Sequence, residues 1–129
     1  QSAERIARGN AVREAKGASP FRALIEGYLS DRHLSSTEDG CAVAALASEM
    51  PRQALEVRSA AAQRVRGLVE RVGDTLPADA APGMATAVAS QMVGALQLAR
   101  ALGNNAEGRA LLAANRSALL AQHDTPVQD

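Results

Sequence analysis

The segment from Met84 to Leu102 constrains this chain more than any other. Advancing about 100° per residue, it gathers Thr86, Ser90, Gln97 and Arg100 into one narrow polar stripe and sends apolar side chains in nearly every other direction. A helix that is apolar over most of its circumference has to be covered on more than one side. Helices of the same chain can cover one flank, with Val65, Leu68 and Val72 as partners by their spacing. A second flank rich in Ala and Gly is left over, and large exposed apolar surfaces mark association sites.

The rest of the chain supplies the helices that do the covering. It is 47% hydrophobic but only 2% aromatic, without Trp and with a single Tyr and a single Phe, so its core must be aliphatic and rich in alanine. Alanine is the strongest helix former and is small enough to let helix axes approach. With 129 residues, one compact domain can bury a core without metal or disulfide staples. We therefore expect an all-α fold, a single helical domain of five to six helices.

Local signals divide these helices. Residues 1–16 carry Glu4, Arg5, Arg8, Arg13, Glu14 and Lys16 around a thin apolar stripe, which reads as a largely solvated helix that Gly17 can end. Ser19 followed by Pro20 is an N-cap and first helical position, since proline loses nothing where the N–H is unpaired anyway. Phe21, Leu24, Ile25, Tyr28 and Leu29 then form a one-sided stripe that should pack on the core. Ser30 to Gly40 has no apolar period and is expected to be a surface loop.

Cys41 to Met50, built around Leu46 and ended by Pro51, reads as a short buried helix. A long helix runs from about Gln53 to Leu76 on Ala61, Val65, Leu68, Val69, Val72 and Leu76, and Pro77 stops it. Gly103, Asn104 and Asn105 make a tight connection between the segment 84–102 and a last helix over 106–122, anchored by Leu111/Leu112 and Leu119/Leu120. The tail beyond Gln122, with Pro126, should fray.

Several function classes lack support. Lys plus Arg and Asp plus Glu both number 14, so no global positive field draws the chain to phosphate backbones. The single cysteine, Cys41, has no internal disulfide partner, and no export signal or long apolar span stands out, which makes a reducing cytoplasm the expected setting without membrane contact. Cys41, His33 and His123 are the only thiol and imidazole groups, and no ligand spacing joins them, so a buried small thiol and surface histidines are expected rather than a metal site. No nucleophile elbow and no phosphate-cradling Gly-rich loop is present, so no catalytic residue and no cofactor is assigned.

Three stretches resemble one family. They are Gly40-Cys41 followed by Ala44-Ala45-Leu46 and Glu49, then Glu56-Val57-Arg58 opening a long helix, then Val93 through Leu102 leading into Leu111-Leu112 and Arg116. In order and separation, over most of residues 20–122, they are similar to the C-terminal domain of TetR-family transcriptional regulators. The resemblance implies a ligand-binding and dimerisation domain over 17–129, preceded at 1–16 by a helix connecting it to an N-terminal helix-turn-helix domain outside this chain. It implies a homodimer whose last two helices form a four-helix bundle, a small-molecule effector in a cavity among the core helices, and contact with DNA only through the missing domain. A repressor is the expected role.

Within that frame the candidate effector residues are Phe21, Leu24, Tyr28, Leu46, Met50, Leu68, Val88, Gln91 and Met92, lining a mostly apolar cavity for a mostly apolar effector. Tyr28 is either plain core or a hydroxyl offered to the ligand. Gln91 projects about 140° from Thr86, outside the polar stripe, and must find a partner on the ligand, across a subunit interface or on a neighbouring helix. The candidate seam residues of the dimer are Ala95, Leu96, Ala99, Leu112 and Leu119, small side chains admitting close approach and leucines filling between. Two other classes stay open: a structural helical dimerisation module without a ligand, and a small helical enzyme using Glu49 or His33 as acid or base.

Overall fold

The computed structural model describes residues 2–35 and 55–124, with the side chains of residues 8–35 and 58–124. Leu46, Met50 and Cys41, and the short helix expected around them, lie outside the described residues. The described chain is all-helical: α1 (Ser2–Ala15), α2 (Pro20–Tyr28), α3 (Asp31–Ser35), α4 (Leu55–Thr75), α5 (Met84–Leu102) and α6 (Ala106–His123). No strand occurs among the described residues.

Helix ends follow the local chemistry. Gly17, at φ +98°, breaks the chain after α1 in a conformation that L side chains rarely adopt. Ser19 caps α2, its Oγ accepting from Arg22 N at 3.0 Å, with Pro20 at the first position. Pro77 follows the end of α4, and Gly83, at φ +84°, leads into α5. Asn105 caps α6 by accepting from Gly108 N at 2.9 Å.

One expectation fails between α2 and residue 36. The segment read as surface loop contains α3, because Ser30 acts as an N-cap: its Oγ accepts from His33 N at 3.0 Å and donates to Gly27 O at 2.9 Å. Asp31 in the first turn complements the positive end of the helix. This turn carries His33 and Leu34 into the interior, both buried, so His33 is not a surface histidine.

Helix α5 packs between α4 and α6, α2 packs on α6, α4 and α1, and α3 rests on α5 and α6. The core joins Phe21, Leu24, Ile25, Tyr28, Leu29 and Leu34 to Leu68 and Val72 of α4, Val88, Ala89, Met92, Ala95, Leu96 and Ala99 of α5, and Leu112 and Leu119 of α6. Val65, expected among the core positions of α4, is instead 43% exposed. It stands about 60° around the helix from Leu68, at the rim of the buried stripe.

The α5–α6 corner depends on absent side chains. A Cβ on Gly108 would lie 2.0 Å from Gly103 O and 2.9 Å from Ala99 O, both backbone atoms. Gly103 itself, at φ +110°, makes the reversal. The two helices can therefore come into close contact immediately after the turn.

Candidate functional site

Six of the candidate effector residues converge. Phe21, Leu24 and Tyr28 of α2 meet Leu68 of α4 and Val88 and Met92 of α5 in one cluster, with exposures from 0% for Met92 to 8% for Tyr28. Helical spacing explains the convergence: Phe21, Leu24 and Tyr28 share one face of α2, and Val88 and Met92 one face of α5. Each of these side chains is surrounded by protein.

Gln91 stands apart from them. It is half-buried at the edge of α5, and its Nε2 donates to Asn115 Oδ1 on α6 at 3.1 Å, while Asn115 Nδ2 donates back to Leu111 O at 3.0 Å. Of the alternatives for this amide, the partner on a neighbouring helix is the one seen.

Polar chemistry enters the core at one end, through residues that the sequence did not single out together. His33 Nδ1 lies 2.8 Å from the carbonyl oxygen of Tyr28, and the two rings meet edge to face with centroids 4.9 Å apart. Arg100 Nη2 donates to His33 O at 2.7 Å. Arg100 begins as a member of the polar stripe of α5, but its half-buried side chain reaches across to the backbone of α3. His123, the other histidine, sits edge to face on Phe21 with centroids 5.9 Å apart.

The five candidate seam residues have a different location from the one expected of an interface. Ala95, Leu96, Ala99, Leu112 and Leu119 are 3%, 0%, 0%, 0% and 0% exposed within the single chain. They are small or branched enough to let α5 and α6 approach, as argued, but what approaches them is this chain's own core. A side chain with no exposed area has none to give to a partner.

The apolar surface left over lies on the next flank of α5. Leu98 is 58% and Leu102 39% exposed, and Ala87 and Ala101 are exposed beside half-buried Gly94. The Gln91–Asn115 bond shows which side of α6 adjoins this flank, and half-buried Leu111 and Ala118 lie on it about 40° and 60° from Asn115. The α5 part of this face is uncharged from Met84 to Ala99, and near its middle Gln91 and Asn115 are paired to each other.

Among the described residues no group of three or more His, Cys, Asp or Glu could hold a metal ion, and no helix is long and apolar enough to cross a membrane. Compared with family models, with curated proteins and with solved structures, the chain matches none of them.

Proposed function

We propose that this chain is the effector-sensing and dimerisation domain of a TetR-like regulator, acting without chemistry of its own. The observation that carries the reading is the division of α5 into two apolar faces. One is consumed by the chain's own core, and the other, with Leu98 58% exposed, remains as an uncharged surface next to α6. Contiguous exposed apolar surface of this kind marks an association site. An isologous pairing of α5 and α6 with a second copy would cover it, in the four-helix arrangement that the resemblance implies, through Leu98, Leu102, Gly94 and Leu111 rather than through the fully buried residues.

The sensing part of the reading rests on the aliphatic core with its polar end at Tyr28, His33 and Arg100. A mostly apolar effector with one or two polar groups suits that chemistry. DNA contact would belong to a helix-turn-helix domain beyond this chain, with α1 as the connection.

A second reading, a structural association module without a ligand, is favoured by the near-complete burial of Leu24, Leu68, Val88 and Met92 against one another. Native mass spectrometry of the purified chain separates the two. A dimer carrying a co-purifying organic mass supports the sensor. A ligand-free dimer that no apolar compound stabilises in thermal shift supports the module. A clean monomer at tens of micromolar, where specific interfaces hold, overturns both.

A further inference from the structure

Helix α2 is held at both ends by a single neighbour. At its start, the carboxylate of Asp124, the residue that closes α6, accepts a hydrogen bond from Ser19 Oγ and another from Arg22 Nε at 3.0 Å. The same Ser19 Oγ accepts from Arg22 N, so Asp124 also steadies the cap of α2. At the other end, Arg116 of α6 donates through Nη1 to the carbonyl oxygen of Leu29, the C-cap of α2. Asp124 is well enclosed, its side chain 11% exposed, against 42% for that of Arg22.

The register of these contacts is what gives them meaning. Arg116 and Asp124 are eight residues apart, about 12 Å of helix at 1.5 Å per residue. Helix α2 has 9 residues and is about 13.5 Å long by the same rise. The two segments run antiparallel and match in length. The signs match as well, with a carboxylate at the positive end of α2 and a guanidinium at its negative end.

Helix α1 meets α2 differently. Asn10 and Arg13 lie over Gly27, where an added Cβ would stand 2.6 Å from Asn10 Oδ1 and 3.2 Å from Arg13 Nη1. Gly17 separates the two helices, and Val12 of α1 is 54% exposed. This is a polar contact at a close crossing, not a continuation of the apolar core.

We propose that the two-ended clamp makes α2 a rigid extension of α6, so that α6 fixes the position of α1 through α2. This deepens the sensor reading, in which α1 carries the output and α6 the association face. A change in how α6 is seated then arrives at α1 undiminished, because the α2–α6 contact cannot slip along its length.

Spin-label distances in the full chain test it. Labels on cysteines at exposed Arg8 and Ala114, in a Cys41→Ser background, report α1 against α6. Labels at exposed Gln97, on the polar stripe of α5, and at Ala114 report α5 against α6. Labelled chain is diluted in excess unlabelled chain so that only intrachain pairs count. Asp124→Ala should broaden and shift the first distribution and leave the second as narrow as in the parent. Should Asp124→Ala fail to fold, Arg22→Gln, which removes the Arg22–Asp124 pair and the Arg22–Glu26 pair within α2 but keeps the Ser19–Asp124 hydrogen bond, is read in the same way with a smaller shift. An unchanged first distribution overturns the proposal, and so does equal broadening of both, which would make Asp124 a general support of the fold. Sedimentation of the same samples reports association separately, so a monomer with a clamped α1 would overturn the dimer without touching the clamp.

Discussion

The two apolar faces of α5 are alike in composition and unlike in fate. One presents Val88, Ala89, Met92, Ala95, Leu96 and Ala99, all buried. The other presents Ala87, Gly94, Leu98, Ala101 and Leu102, with leucines 58% and 39% exposed. Nothing in the residue types separates a Leu96 from a Leu98. What separates them is that α3, α4 and α6 pack on one side, and among the described residues nothing comparable covers the other. Apolar content shows how much cover a helix needs, while its neighbours decide which part is already provided.

Substitutions along this division should sort by face. The largest effect belongs to Leu96→Ala, which removes a fully buried side chain from the middle of the core and should cost about 2–5 kcal/mol in urea unfolding. A loss below about 1 kcal/mol would mean that the face taken as interior is loosely filled. Gly108→Ala comes next. Its Cβ would stand 2.0 Å from a backbone oxygen, and because that oxygen cannot swing away the α5–α6 corner must open, at a cost of about 1–3 kcal/mol in the same measurement. Unaltered stability there would show that the α5–α6 corner has room for a methyl group at this position.

Gln91→Ala lies on the boundary between the faces. It leaves Asn115 Oδ1 without its donor at a half-buried position, where solvent can partly substitute, so the expected cost is about 0.5–1.5 kcal/mol. A larger loss would place the pair in a drier setting, as a partner chain would create. The smallest effect on folding is expected of Leu98→Glu, within about 0.5 kcal/mol of the parent when the chain is monomeric. The same substitution should abolish self-association in sedimentation velocity, because it sets a charge into the uncharged face. A dimer that survives Leu98→Glu would remove this flank from the interface and sharpen the search elsewhere on α5 and α6.

Much of the fold was legible because it is governed by neighbours in sequence. The stops at Gly17 and Pro77, the cap at Ser19, the turn at Gly103 to Asn105 and the stripe of Phe21, Leu24, Ile25, Tyr28 and Leu29 all follow from backbone preferences and period. The turn of α3 was missed although its signal, a serine before Asp31, was present; five residues are too few for a period to show. The candidate site was legible in part, as the gathering of Phe21, Leu24, Tyr28, Leu68, Val88 and Met92, since each already lay on the apolar side of its helix.

By itself the sequence determined that the chain is helical, where most helices begin and end, and that α5 has more apolar surface than one neighbour can cover. Only the tertiary structure decided that Ala95, Leu96, Ala99, Leu112 and Leu119 are spent inside one chain while Leu98 and Leu102 are not, and that Arg100, Arg116 and Asp124 reach across to α2 and α3. The reason is one of range. Capping, turns and helical period act over a few residues and are written locally, whereas which face is covered depends on how helices 50 or 100 residues apart in the chain meet, which no local pattern encodes.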